Sequence, residues 1–176
     1  MPFETPDLLP STTDVPRQIE TDRFRIRPLT IADVDRDYDA VVESRQQLQG
    51  TFGPGHDWPP ADLTLEQNRI DLAWHEKEFQ RRDAFTYAVV DLEETVELGC
   101  LYVQPTRVPE YEAAVYFWVA TQAVDRDLAA AIETTIRTWI AKKWPFESVA
   151  YPGRDIGRVA KRSRLCRWYS QLRGHS

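Results

Sequence analysis

The sequence contains little that would indicate secretion, a membrane or a disulfide framework. Its two cysteines, Cys100 and Cys166, form no Cys-x-x-Cys pair, so free thiols in a reducing cytoplasm are expected. No apolar run approaches the roughly 20 residues of a membrane helix. The first residues lack the basic region and apolar stretch of a secretory signal. No group of His, Cys, Asp and Glu has metal-ligand spacing, so no metal is predicted.

What is present suits one globular domain. The chain has 176 residues, and a folded chain of this size buries about 70% of the surface that its unfolded form exposes. Twenty aromatic residues exclude general disorder. The net charge is -6, but residues 151–176 carry seven basic residues against one acidic residue. The acidic body argues against nucleic-acid binding, whereas the basic end suits a phosphorylated ligand.

Periodicity and turn residues predict an arm followed by one α/β domain. Residues 1–17 hold four prolines and no periodicity, so an arm is expected, either loose or packed on a neighbour, before a domain over 18–176. The strand-helix-strand order near the end predicts a parallel pair in a mixed sheet. The predicted elements are strand 23–27, helix 30–48, loop 51–62, helix 64–82, strands 85–90, 97–103 and 113–119, helix 126–143, strand 148–151, helix 155–164 and strand 166–172.

Helical spacing selects the faces expected to be buried. For the first two helices these are Val34, Tyr38, Val41 and Leu48, then Leu65, Leu72, Ala73 and Phe79. For helix 126–143 they are Leu128, Ile132, Ile136, Trp139 and Ile140. Thr64 with Gln67 indicates a capping box, and Gly50 a helix stop.

Three segments resemble the GNAT superfamily of acetyl-CoA-dependent acetyltransferases, and most of all the branch that acetylates ribosomal-protein N-termini. The opening run, residues 19–29, is similar to that branch's Leu-Glu-Thr-Glu-Arg-Leu-x-Leu-Arg-Pro. Residues 116–119 look like the aromatic-Trp-Val strand before the cofactor loop, and residues 128–140 like the helix after it. The resemblance covers about residues 19–173. It implies a mixed twisted central sheet flanked by helices, an α/β (α+β) fold.

The resemblance also places the cofactor site. The family holds the acetyl-CoA pyrophosphate on a Gln/Arg-x-x-Gly-x-Gly/Ala motif at a helix N-terminus, which is an anion site. Aligned without gaps, the motif falls on Val124, Asp125, Arg126, Asp127, Leu128 and Ala129. Only Ala129 fits, and Asp125 and Asp127 would repel a polyanion unless they turn away. A second register over 126–131 needs an insertion. Val119 and Ala120 match the backbone that pairs with the pantetheine arm.

Other expected site residues are replaced or displaced. The family's Glu base corresponds to Ala114 and its Tyr acid to Ala160, which leaves Glu112, two residues before Ala114, as the candidate base. His56 and Trp58 lie in the loop that matches the family's substrate-covering segment. Four basic residues at helical spacing, able to meet the CoA phosphates or simply solvated, are Arg154, Arg158, Lys161 and Arg162.

Two functions follow from these observations. The first is an N-acetyltransferase that passes acetyl from acetyl-CoA to a primary amine on a small molecule or peptide. The second, motivated by the degenerate motif, is a GNAT-fold protein that has lost catalysis and binds a ligand or a protein. Both predict a cytoplasmic protein, possible as a homodimer, that needs no metal, nucleic acid or membrane.

Overall fold

The computed structural model describes residues 8–106 and 108–157 of the chain. They build one six-stranded sheet in the order β1-β2-β3-β4-β5-β6. The strands are β1 (Ile19–Glu20), β2 (Phe24–Pro28), β3 (Phe85–Asp91), β4 (Glu97–Gln104), β5 (Ala113–Val119) and β6 (Val149–Ala150). Neighbours pair antiparallel except β5 and β6, which pair parallel. The predicted mixed sheet is therefore confirmed.

The helices are α1 (Val34–Glu43), α2 (Arg45–Leu48), α3 (Leu65–Arg81) and α4 (Arg126–Lys143), with a 3-10 turn at Ile31–Asp33 before α1. The prediction of one helix over 30–48 is wrong, because the helix breaks at Ser44. That residue is buried, and its hydroxyl accepts a hydrogen bond from the backbone N–H of Thr121 at 3.0 Å. No helix within the described residues is long and apolar enough to cross a membrane.

One face of the sheet is apolar and is covered by α4. The predicted stripe of α4 is confirmed for Ile132, Ile136, Trp139 and Ile140, which are all buried, and Leu128 is half-buried beside them. These side chains pack on alternate residues of β3, β4 and β5. We refer to this side as the α4 face.

The described part of the arm, residues 8–17, packs on the α4 face of its own chain. Leu9 is fully buried there. Arg82 donates hydrogen bonds to the carbonyl oxygens of Pro10 and Thr13, both at 2.7 Å. The sequence offered only a loose arm or one packed on a neighbour, so this attachment corrects that prediction.

The opposite face is covered by α1, α2 and α3, and we call it the α3 face. The predicted cap of α3 is confirmed, since Gln67 N–H donates to the Thr64 hydroxyl at 3.1 Å and the Gln67 side chain accepts from Thr64 N–H. Leu72 and Phe79 are buried as predicted, but Leu65 and Ala73 are exposed. The inward positions of α3 are largely polar instead, and they are Asn68, Asp71, His75 and Glu78.

The last predicted helix and strand, over 155–164 and 166–172, lie almost wholly outside the described residues. Ala160, Cys166 and three of the four basic residues, Arg158, Lys161 and Arg162, lie there too. Of the predicted helix, Asp155 is described and lies in a turn, where its N–H donates to the carbonyl of Tyr151 at 3.0 Å.

Candidate functional site

The parallel strands β5 and β6 part soon after they meet. Only two register pairs join them, Ala113 with Val149 and Ala114 with Ala150. β5 then continues to Val119 while β6 ends. The parting leaves a cleft of about 610 Å³, open to solvent and lined by residues 116–119, residues 152–154, Gln47, Leu48 and Thr51.

The hydrogen bonds of β5 decide which backbone groups face the cleft. Ala120 donates its N–H to the carbonyl of Leu98 at 2.9 Å, so the sheet already uses that amide. Backbone groups of successive strand residues point to opposite sides, so those of Val119 and Phe117 point away from β4 and towards the cleft. Val119 therefore lines the cleft, whereas the Ala120 N–H is directed elsewhere, and the contact of either residue with a pantetheine arm stays a prediction.

Arg154 is the one charged side chain among the described residues that line the cleft. Its guanidinium carbon lies 3.5 Å from the ring centroid of Phe117, and its Nη2 donates to the Phe117 carbonyl at 3.1 Å. Nη1 also contacts the carboxylate of Glu133 at 3.3 Å. Burial lowers the pKa of Arg154, against the opposite pull of Glu133. A guanidinium still carries its charge at neutral pH, so the cleft has a cation at its wall.

The N-terminus of α4 follows β5 and carries the predicted pyrophosphate loop. The carboxylate of Asp125 caps the helix by accepting the N–H of Leu128 at 2.8 Å, and the N–H of Ala129 donates to the Asp125 carbonyl at 2.9 Å. Asp127 turns away and pairs with Arg23 at 2.7 Å. One of the two predicted repulsive carboxylates is thus neutralised, while Asp125 stays on the helix end. Arg126 is exposed there, and Val124 is half-buried.

The loop between α2 and α3 carries His56 and Trp58, the two predicted substrate-binding residues. Trp58 is buried, with its ring 5.3 Å from Phe52 and 6.4 Å from Trp118 of the cleft. His56 lies edge-on to Phe52 at 5.7 Å, and its Nδ1 accepts the Trp58 N–H at 3.4 Å. Neither side chain lines the cleft itself. Their loop forms the wall beside it.

Glu112, the predicted base, precedes β5 at the end opposite to Val119. Its carboxylate accepts the backbone N–H groups of Glu147 and of Ser148, the latter at 3.1 Å. Val119 lies seven positions after Glu112, a distance of about 23 Å along a strand at 3.3 Å per residue. The structure therefore places Glu112 where it holds the start of β6 and not at the open part of the cleft.

A second, much smaller cavity lies under the same loop on the α3 face. Phe52, Trp58 and Tyr102 form aromatic walls, and Asp37, Asn68, Asp71 and His75 supply polar ones, with Leu29 and Leu72. His75 Nδ1 lies 3.2 Å from the Thr86 hydroxyl, and its ring lies 5.7 Å from that of Tyr102. We call this space the polar chamber.

Two buried acids meet beside the polar chamber. Burial raises the pKa of Glu97 well above its usual value, and the neighbouring Asp37 carboxyl adds to the shift. Burial also raises the pKa of Asp37, against hydrogen bonds from Glu97 and Asn68. The Cys100 thiol is fully buried nearby, and burial raises its pKa as well.

The sequence did not single out this polar group, although one signal was present. Asn68, Asp71, His75 and Glu78 recur at spacings of three and four. The same spacing in apolar residues selected the buried faces of the other helices. A search for polar stripes at helical spacing would have found the inner face of α3.

Comparisons with known proteins identify the fold. No protein-family model matches the chain, and no curated protein matches its sequence. The ribosomal-protein-S5-alanine acetyltransferase of Vibrio fischeri is 19% identical with a TM-score of 0.56, over 73% of this chain and 68% of that one. RimL, the ribosomal L7/L12 alpha-N-protein acetyltransferase, in complex with coenzyme A, is 16% identical with a TM-score of 0.58, over 73% and 70%.

A third solved structure is the microcin C7 self-immunity acetyltransferase MccE in complex with acetyl-CoA and AMP. It is 12% identical with a TM-score of 0.53, over 71% of this chain and 67% of that one. The chain therefore has the fold of the GNAT acyl-CoA N-acyltransferases, as the sequence segments predicted.

Proposed function

We propose that this protein is an N-acetyltransferase that passes acetyl from acetyl-CoA to a primary amine. The cleft between β5 and β6 carries the proposal, because β5 turns the backbone groups of Val119 towards it. Solved neighbours of the same fold hold coenzyme A or acetyl-CoA. An extended amide-bearing chain such as pantetheine suits an unpaired stretch of strand, because backbone hydrogen bonds give it affinity.

The phosphates have two candidate partners in this chain. The N-terminus of α4 supplies a positive dipole end, which favours anions. Arg154 supplies a full charge at the cleft. The Asp125 carboxylate opposes the first of these, so this chain relies on Arg154 more than a glycine-bearing motif would.

The proposed reaction is direct transfer. The neutral amine nitrogen attacks the thioester carbonyl carbon, the new C–N bond forms, and the C–S bond breaks. Coenzyme A leaves as a thiolate and takes up the proton that the amine loses. A backbone N–H at Val119 would donate to the carbonyl oxygen as negative charge develops there.

The acid-base arrangement has a kinetic consequence. None of the described residues that line the cleft is Asp, Glu or His. We therefore propose that the amine arrives already neutral, without a base at the cleft. The rate at low amine concentration should rise tenfold per pH unit until the amine's own pKa is reached.

The acceptor is proposed only as a class. Two of the neighbours are named as acetyltransferases of ribosomal proteins, and one is named for self-immunity to microcin C7. A small molecule or peptide with a primary amine is therefore our proposal for this chain. We also propose that the protein works in the cytoplasm and as a homodimer. Light scattering after size-exclusion chromatography tests the oligomeric state.

The test combines binding and turnover. Acetyl-CoA is titrated to millimolar while thermal unfolding is followed, and CoA release is then measured with a panel of amines and peptides. A ligand that binds only the folded state stabilises it by about 2.7 kcal/mol at 100 times its dissociation constant. Saturating stabilisation with amine-dependent CoA release supports the proposal. Binding without turnover on any amine would favour the module that has lost catalysis.

Arg154→Ala tests the site itself. Losing a charge-assisted contact, worth about 1.5–3 kcal/mol, should weaken acetyl-CoA binding at least tenfold. Lys142→Ala, an exposed cation at the far end of α4, is the matched control and should leave binding unchanged. Equal affinity of both variants would place acetyl-CoA outside this cleft.

A further inference from the structure

Three potential metal ligands from two elements converge beside the polar chamber. Asp37 projects from α1, and Glu97 and Cys100 belong to β4. Ligand atoms of the three residues all lie within 4.8 Å of one another. The Cys100 sulfur is 3.6 Å from Asp37 Oδ1 and 2.9 Å from Glu97 Oε1.

A bulge in β4 makes this convergence possible. Val89 pairs with Gly99 while Val90 pairs with Glu97, so one extra residue sits in β4 at this point. Residues three apart on a regular strand face opposite sides. The bulge reverses this alternation, and Glu97 and Cys100 both face α1.

This cluster is buried, and no Lys or Arg among the described residues pairs with its carboxyls. Asp37, Glu97 and Cys100 are 4%, 1% and 0% exposed. Among the ion pairs of the described residues, none joins a Lys or Arg to Asp37 or Glu97. Glu97 Oε2 is fully buried without a hydrogen-bond partner. Burying acids in this way is costly unless a bound cation or a shared proton compensates them.

We propose that Asp37, Glu97 and Cys100 bind a divalent transition-metal ion, with zinc the best match to the donor set. One thiolate with two carboxylates suits a small, borderline-soft cation. At tetrahedral angles, bonds of about 2.3 Å to sulfur and 2.0–2.2 Å to oxygen place those ligand atoms about 3.6 Å apart. The separation between Cys100 and Asp37 has this value, and Glu97 would withdraw by less than about 1 Å.

The surroundings complete the site. Asn68 donates to Asp37 Oδ2 at 2.7 Å, which orients the carboxylate and leaves Oδ1 towards Cys100. Second-shell hydrogen bonds of this kind commonly contribute 10–100-fold to metal affinity. The polar chamber, which Asp37 also lines, borders the site. Binding would release the thiol proton and any proton shared by the two carboxyls to the buffer.

The experiment uses the full chain, purified without a metal-binding tag and stripped with a chelator. Co²⁺ is titrated first, because cobalt bound to a thiolate absorbs in the near ultraviolet, and Zn²⁺ is then added to displace it. We expect one equivalent of each metal, and a rise in the unfolding midpoint on zinc binding. Cys100→Ser should abolish the cobalt band and weaken zinc binding at least tenfold.

Two further variants keep the result interpretable. Cys166→Ser is the matched control and should keep the band. Asn68→Ala leaves all three proposed ligands in place and removes only the hydrogen bond to Asp37. It should weaken zinc binding 10–100-fold, while the circular dichroism of the metal-free chain stays native. A metal-stripped wild-type chain that folds but binds neither metal would overturn the proposal. A proton shared by the carboxyls of Asp37 and Glu97 would then be what compensates their burial. A cobalt band that survives in Cys100→Ser would overturn it too.

Discussion

The two faces of the sheet bury very different groups. On the α4 face the buried set is apolar, and its stripe follows a single helix. On the α3 face the buried set also holds Asp37, Asn68, His75 and Glu97. Polar groups cost stability in a core unless each finds a partner. The α3 face also adjoins the cleft, since Phe52 of the polar chamber packs 5.5 Å from Tyr116. The comparison indicates that the apolar stripe of α4 stabilises the fold, while the buried polar groups are gathered on the α3 face.

The largest effect should come from emptying the α4 face. Trp139 is 3% exposed, with its ring 5.1 Å from that of Tyr87. Trp139→Ala should lower the free energy of unfolding by about 3–5 kcal/mol, because large-to-small changes leave a cavity. Urea unfolding measures it. Trp74→Ala, at an exposed tryptophan of α3, should cost about 1 kcal/mol or less. Equal losses would contradict the comparison.

The second prediction concerns the bulge in β4. A Cβ at Gly99 would lie 2.0 Å from the carbonyl oxygen of Trp118, so β4 and β5 must separate to admit it. Gly99→Ala should destabilise the fold by about 1–3 kcal/mol, as overpacking does. Gly157→Ala has nothing within 4 Å of its new methyl and should change stability by less than about 0.5 kcal/mol. An unaffected Gly99→Ala would show that the bulge is not needed.

The third prediction concerns a buried ion pair formed by Asp33. The Asp33 carboxylate accepts from Arg27 at 2.8 Å and from Arg36 at 2.5 Å. Burial alone would raise the pKa of Asp33, but these hydrogen bonds and one from the Thr30 N–H together hold that pKa below its usual value. The stability from this ion pair is therefore present above the unfolded pKa of about 3.9, and is lost as pH falls through the folded pKa.

Asp33→Asn tests this contribution. At pH 7 it should cost about 1.5–3 kcal/mol, the range for a hydrogen bond to a charged group. As pH falls below about 4 the wild-type chain should lose that advantage, so that the two unfolding curves approach each other. A constant gap across this pH range would mean that Asp33 acts by shape alone.

Much of the architecture could be predicted because local patterns encode it. The bounds of α4 match the predicted 126–143, since an apolar stripe, Asp125 at the start and Pro145 after the end all agree. The parallel pair followed from the strand-helix-strand order. The break at Ser44 had no signal in the apolar periodicity, and the hydrogen bond made there joins Ser44 to Thr121, 77 residues away.

The site was harder to predict for the same reason. Val119 is local to one strand and lines the cleft, whereas the predicted loop over 124–129 lies at the N-terminus of α4 and contributes no residue to the cleft lining. The cluster of Asp37, Glu97 and Cys100 has no spacing signature, because a bulge and a helix from elsewhere in the chain bring it together. Glu112 was predicted because it lies two residues before Ala114 and so shares its face of the strand. It lies at the end of that strand that is remote from the cleft.

The smallest predicted effect concerns Asp125 at the N-terminus of α4, where the charge of the carboxylate and its role as a helix cap can be tested separately. Asp125 caps that helix, and Asn caps about as well as Asp. Asp125→Asn should therefore leave stability nearly unchanged while removing a negative charge from the proposed phosphate site. A charge at a helix end is worth about 0.3–1 kcal/mol, so calorimetry should find acetyl-CoA bound about two to five times more tightly. Asp125→Ala should show the same gain with about 1 kcal/mol lower stability. Exposed charges are screened by salt, so this gain in acetyl-CoA affinity should become smaller at high ionic strength. A gain in affinity that does not change with salt would locate the pyrophosphate away from this helix.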